Sequence, residues 1–269
     1  MNETVITSRD NARVRHARAV RDGKVSDKIF VEGVRLCEEA VRAGLPVDEV
    51  FHSPDMARDE RGSRLLIEIK RMDTSISVIS EKVFASLSDT KTPQGILMLA
   101  HRPQTDASVL EPAAEDVPLL VIIHRLNNPA NAGAVLRTAE AAGATGIIAT
   151  NGTTDLFSPK ALRGAMGSSF RLPVWTGAHF AEALRWCAER GIRTACADIR
   201  ATQAHTEVDW SKPRALIVGA EANGLAPDEI ALANEALKIP MRQPVESLNV
   251  AVAAAIILYE AARQRTVGS

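Results

Sequence analysis

The sequence predicts an α/β protein in two parts, a small α/β unit over residues 1–105 and a larger domain over 119–269 built on a mostly parallel sheet. Three observations carry this. Short apolar runs alternate with helical segments along the whole chain, the pattern of layered α/β folds. The runs at 119–123 and 215–218 are apolar throughout, as expected of strands buried on both faces of a parallel sheet. Between the two parts, HRPQTDASVLEPAAEDVP (101–118) holds three prolines and four acidic residues, which makes 106–118 the linker expected from composition.

In the first part a helix is expected over 11–21, a strand at 29–31, and a helix after Glu32 and Gly33 with apolar positions Val34, Leu36, Cys37, Ala40 and Val41. A strand at 50–52, a helix near 65–70 and strands at 76–79 and 95–100 follow. The first helix carries Arg13, Arg15, Arg18 and Arg21, with Lys24 just beyond and Asp22 the sole acid among them. Such a run is either a solvated face or a place for phosphates.

In the second part strands are expected near 119–123, 146–150, 194–198, 215–218 and 237–239. After the first of these, Asn128 suits a helix N-cap, Pro129 the first turn and Gly143 the C-cap. Asn131 and Arg137 then fall on the helix beyond a strand's C-terminal end, where open sheets bind ligands. The strand at 215–218 runs into Gly219, Glu221 and Gly224, glycines that permit close approach and a tight loop. A plain strand-to-loop turn explains that stretch equally well. The last strand ends at Pro240, a polar loop follows, and a helix of small residues is expected to open at Ser247.

Composition narrows the classes. The formal net charge of −1 shows no global basic field, so a nucleic-acid surface would have to be local. Three cysteines, an odd number without C-x-x-C spacing, suit a reduced cytoplasmic protein with buried thiols. Six scattered histidines give no metal site, and neither a G-x-G-x-x-G nor a phosphate-loop motif is present. No apolar stretch is long enough to span a bilayer, so no membrane partner is expected.

Three segments together resemble the motifs of the SpoU/TrmH family of RNA ribose 2′-O-methyltransferases, in the SPOUT superfamily. They are NNPANAGAVLRTA with Asn131, Gly133, Arg137, Thr138 and Ala139; GAEANGL with Gly219, Glu221, Gly224 and Leu225; and IPM…SLNV with Ile239, Pro240, Met241, Ser247, Leu248, Asn249 and Val250. The stretch 158–174 also looks like the segment between the family's first two motifs. Two positions depart from the pattern: Ala220 and Ala222 in the second motif, and His124-Arg125-Leu126, which replaces a more usual acidic lead-in to the first.

The resemblance implies a C-terminal trefoil-knotted SPOUT methyltransferase domain, a homodimer, and S-adenosyl-L-methionine as cofactor. It implies catalytic roles for Arg137, Asn131, Glu221, Ser247 and Asn249, and cofactor contacts at Gly219, Ile239, Met241 and Leu248, with Thr150 and Asn151 as further lining. Residues 1–105 resemble the ribosomal-protein-like RNA-binding domain often fused to this family, with Arg13, Arg15, Arg18, Arg21 and Lys24 toward RNA. That fusion points to ribosomal RNA as substrate. Transfer RNA, a non-catalytic knotted RNA-binding protein, and self-protection against a ribosome-targeting antibiotic remain the alternatives.

Overall fold

The computed structural model describes residues 5–111, 117–219 and 224–267. The chain divides into two compact units, one of residues 1–103 with 157–171, the other of 104–156 with 172–269.

The first unit opens with α1 (Ala12–Arg21), capped by Asn11, whose side chain accepts from the Arg13 amide. β1 (Lys28–Glu32), α2 (Val34–Arg42), β2 (Val47–His52), a 3₁₀ turn at Pro54–Arg58, α3 (Glu60–Ile69), β3 (Ser75–Val78), α4 (Glu81–Leu87) and β4 (Ile96–His101) follow. The sheet order is β1-β4-β2-β3, antiparallel except for β2 beside β3. Val14, Ala17 and Val20 of α1 bury against Phe30, Phe51, Phe84, Leu87 and Leu97. Every strand and helix expected here is present. α4 is an addition: its apolar positions Val83, Phe84 and Leu87 span only two turns, too few to show a period.

In the second unit a 3₁₀ turn at Ala107–Leu110 buries Leu110 among Leu120, Ile148 and Trp175. β5 (Leu119–Ile123), α5 (Pro129–Ala141) and β6 (Gly146–Thr150) come next. α5 is capped by the Asn128 side chain on the Ala130 amide, with Pro129 in the first turn and Gly143 at φ +80 just past the end. The connection after β6 carries α6 (Pro159–Ala165) and α7 (Ser168–Arg171), which belong to the first unit. There α6 packs on β1, Arg163 pairs with Asp89 at 2.7 Å, and Arg171 pairs with Glu39. Gly167, at φ +92, leaves no room for a side chain: a Cβ would meet the Glu39 Cβ at 2.7 Å.

The chain re-enters the second unit as β7 (Val174–Ala178), α8 (Phe180–Glu189), β8 (Arg193–Ala197), β9 (Gln203–Ala204), β10 (Arg214–Val218), α9 (Pro227–Leu232), β11 (Glu235–Lys238) and α10 (Val250–Val267). The sheet order is β7-β6-β5-β10-β8-β11-β9, and every described pairing is parallel. β5 and β10 are buried at every position, as their uniform apolar runs require. β7 and β9 were not anticipated; Thr176 and Gly177 dilute the apolar signal of β7.

One expectation is corrected. The last helix begins at Val250 and not at Ser247, because Asn249 is its cap: Asn249 Oδ1 accepts from the amides of Ala251 at 2.9 Å and Val252 at 3.4 Å. Likewise the last strand stops at Lys238, before Pro240. α10 buries Ala254, Ile257, Leu258 and Ala261 and packs against α5. Its far end is tied down by Arg265, which donates to the carbonyls of Trp210, Val117, Pro118 and Lys212, and by Gln264, which accepts from the Trp210 amide and donates to the Val208 carbonyl.

Candidate active site

From β5 the chain builds outward through β6 to β7, then crosses to lay down β8, β10 and β11 on the other side. β10 is the neighbour of β5, so the connections leaving these two strands diverge. A crevice opens at their C-terminal ends, as it does at the reversal point of other open parallel sheets. Here it is a cleft of about 940 Å³, edged by the ends of β8, β10 and β11, the start of α5 and the loop before α10.

Gly219 directly follows β10 and lines the cleft. A Cβ there would lie 2.9 Å from Leu225 Cδ1 and 3.2 Å from the Gly224 carbonyl carbon, so the close packing of the 224–225 turn on Gly219 favours glycine. Leu225 is buried beneath it, and Gly224 turns at φ +61. From β11, Leu237, Lys238, Ile239 and Met241 line a second wall. Residues 239–249 lie in neither helix nor strand, so their amides and carbonyls are not committed to a ladder. Ser247 and Leu248 of this loop also line the cleft.

Asn131 and Asn249 meet at its mouth. Asn249 Nδ2 donates to Asn131 Oδ1 at 3.2 Å, while Asn249 Oδ1 caps α10. Residues 118 positions apart in the chain are thereby joined across the starts of α5 and α10. The structure thus gathers Asn131, Gly219, Ile239, Met241, Ser247, Leu248 and Asn249 around one concavity.

Other expected residues stand elsewhere. Arg137 is exposed on α5 six residues beyond Asn131, about 9 Å further along the helix axis at helical rise, and does not line the cleft. Thr150 is buried at the end of β6 with its hydroxyl 2.8 Å from His124 Nδ1. Asn151 is exposed beside His179 at 3.4 Å. Neither lines the cleft. Glu221 lies outside the described residues.

Sequence reasoning missed the end of β8. Asp198 stands there beside Gly219's strand and accepts from the Arg200 amide at 2.7 Å, Nε at 3.1 Å and Nη2 at 2.8 Å. Arg200 outweighs burial and holds the Asp198 carboxyl below the usual carboxylate range. It also missed Arg125, which lines the same cleft. The signal for both is position: Asp198 is the last residue of a predicted strand and Arg125 the second residue past one, both on the binding edge of the sheet.

Within the basic run of residues 13–24, Arg13 and Arg21 are spent internally. Arg13 pairs with Glu49, and Arg21 donates to the carbonyls of Ser86 and Leu87 at the end of α4. Arg15 and Lys24 are exposed and Arg18 is half-buried, so these three form the part of the run open to a ligand.

Among the described residues no group of three His, Cys, Asp or Glu side chains could hold a metal ion, and no helix is long and apolar enough to cross a membrane. Cys37, Cys187 and Cys196 are free and buried. Burial pushes the Cys187 thiol up to about 12 and the Cys196 thiol to about 11, so neither is a nucleophile at neutral pH.

Comparison with known proteins gives two domain matches. Residues 118–259 match the SpoU rRNA Methylase family, and residues 30–106 match a domain described as RNA 2′-O ribose methyltransferase substrate binding. A Synechocystis protein named an uncharacterized tRNA/rRNA methyltransferase is 31% identical over 98% of this chain and 95% of its own. The 23S rRNA (guanosine(2553)-2′-O)-methyltransferase RlmP of Bacillus subtilis is 29% identical over 94% of this chain and 97% of its own. Among solved structures, the SpoU methyltransferase AviRb of Streptomyces viridochromogenes in complex with AdoMet superposes with a TM-score of 0.86 at 28% identity, covering 96% of this chain and all of that one (100%).

Proposed function

This chain belongs to the SpoU rRNA Methylase family, and on that premise we propose that it transfers a methyl group from S-adenosyl-L-methionine to a ribose 2′-hydroxyl of ribosomal RNA. The observation that carries the reading is the convergence of three distant segments, at Asn131, Gly219 and Ile239–Asn249, on one cleft. Its volume lies within the range of small-molecule sites, and its walls set apolar residues such as Val218, Leu225, Leu237, Ile239 and Met241 beside charged and polar ones. Gly219 lines this cleft with no side chain of its own, which lets an adenosine approach the main chain. The residues present therefore fit the cofactor. When bound, S-adenosyl-L-methionine supplies a methyl group on a sulfonium, already activated for displacement.

The protein's own task is to position a weak nucleophile. The main chain at Gly219, Ile239 and Leu248 grips the adenosine, with Met241 as an apolar wall. Asn131, held by Asn249, orients the target ribose, and Ser247 completes the hydrogen-bonding shell. A guanidinium is a poor proton acceptor, so Arg137 is not assigned as the base. It binds the phosphate beside the target ribose and stabilises negative charge developing on O2′. Glu221 fixes that guanidinium or the loop of a facing subunit.

Three finer readings accompany this one. A homodimer is supported by the apolar stripe Val252, Ile256 and Tyr259, exposed on α10 at helical spacing. A trefoil knot in the second unit is supported by family membership and by the return of the chain from β11 to pack α10 against α5. The first unit, with Arg15, Arg18 and Lys24, selects the RNA, and a ribosomal substrate places the protein in the cytoplasm.

The test has two arms. Mapping of 2′-O-methylation on ribosomal and transfer RNA from cells with and without this protein identifies the substrate; loss of a ribosomal mark is expected, and loss only of a transfer-RNA mark would reassign it. Arg137→Ala should slow single-turnover methylation about 10²–10³-fold while cofactor affinity stays within about twofold. Near-normal turnover would remove Arg137 from the mechanism.

A further inference from the structure

The lead-in His124-Arg125-Leu126 departs from the family pattern, and the structure gives it an arrangement of its own. Arg125 follows β5 with φ +51, a left-handed conformation that disfavours any residue with a Cβ. Such strain is kept where surrounding contacts over-determine it, and it clusters at functional sites. The side chain crosses Gly152, which makes room for it: a Cβ on Gly152 would sit 3.3 Å from Arg125 Cγ. Beyond Gly152, Arg125 Nη2 donates to Glu229 Oε2 at 2.6 Å.

Glu229 is itself built in. It accepts from the Ala226 amide at 2.9 Å and faces His124 Nε2 at 3.0 Å. His124 is buried, with Nδ1 2.8 Å from the Thr150 hydroxyl and its ring 4.3 Å from that of Phe180. A neutral His124 donates from Nε2 to the carboxylate and accepts at Nδ1 from Thr150. Thr150, His124, Glu229 and Arg125 thus form a chain from the sheet interior to the cleft. Glu229 occupies only one corner of the guanidinium. Nε and Nη1 of Arg125 have no partner among the described residues, and the side chain is 46% exposed on the cleft wall.

A guanidinium fixed at one corner and open along the other edge is a receptor for a planar anion. Resting on the cofactor reading of this cleft, we propose that Arg125 anchors the carboxylate of the cofactor's amino-acid tail. The charge around the cleft favours this over an RNA phosphate. Arg125, Arg200 and Lys238 line it together with Asp198 and Glu246, and Glu229 stands behind Arg125. That balance suits a zwitterion and not a polyanion.

The test uses the full chain and two ligands. S-Adenosylhomocysteine keeps the amino-acid tail, whereas 5′-methylthioadenosine lacks it. Arg125→Gly removes the guanidinium and places the residue type that tolerates left-handed backbone, so relief of strain offsets loss of the Glu229 pair and the variant is expected to fold, as its circular dichroism would check. By calorimetric titration, Arg125→Gly should bind S-adenosylhomocysteine about tenfold or more weakly and 5′-methylthioadenosine unchanged. Equal losses for both ligands, or none for either, would overturn the proposal. So would intact binding of both ligands with weakened RNA binding, which would make Arg125 a phosphate contact. If wild-type protein bound neither ligand, the methyl-transfer reading would fall first, and the two failures are thereby told apart.

Discussion

His124 shows how a single side chain ties the site to pH. Burial is the largest influence on it and favours the neutral ring, against the pull of Glu229 toward the charged form; the net effect lowers its pKa from the usual 6.5. As pH falls, the unfolded chain therefore takes up this proton before the folded one does. The stability His124 confers is complete above about pH 6.5 and drains away as pH drops from there toward the folded-state value. The slope from this one group cannot exceed about 1.4 kcal/mol per pH unit. Urea unfolding at pH 7.5 and 5.5 should show a smaller pH-dependent loss in His124→Gln than in wild type. An unchanged slope would mean the histidine is not buried neutral. Which residues reach the cleft was only partly legible at this scale. Asn131, Gly219 and Asn249 were read from motifs. Asp198 was missed because a sequence shows where strands end but not their order: β8 lies next to β10, whereas β6, which ends in Thr150, lies beyond β5.

Elements were more legible than residues. The buried strands β5 and β10 and the cap of α5 follow from local chemistry, and all stand as expected. The start of α10 did not, since Ser247 and Asn249 are both good caps and only the hydrogen bonds of Asn249 decide between them. α10 buries Ala254, Ile257, Leu258 and Ala261 on one face and exposes Val252, Ile256 and Tyr259 on another. A helix apolar on both faces calls for a second covering surface. Ile256→Asp should convert a dimer to a monomer in light scattering, with little change in far-ultraviolet circular dichroism. A wild-type protein that is already monomeric at micromolar concentration would discard the stripe as an interface.

For the whole molecule, the boundary between units governs which fragments can fold. Composition marks 106–118 as a linker, yet Thr105 already accepts a hydrogen bond from the Thr176 amide at 2.9 Å and Leu110 is buried against the sheet. A chain beginning at Gln104 keeps both; one beginning at Pro118 loses them. Burial of a leucine is worth about 1.5–3 kcal/mol, so the longer fragment should be the more stable by about that amount in denaturant unfolding. Equal stability would show that Leu110 rests on the sheet without supporting it.

The loan of α6 and α7 to the first unit also bears on how such proteins can be recombined. A hybrid made by exchanging residues 1–103 with those of a relative would separate Glu39 and Asp89 from the Arg171 and Arg163 that answer them, and would set a foreign side chain against Gly167. The portable module is discontinuous: a transplant has to carry 157–171 along with 1–103, and mutations in either piece are answerable to the other.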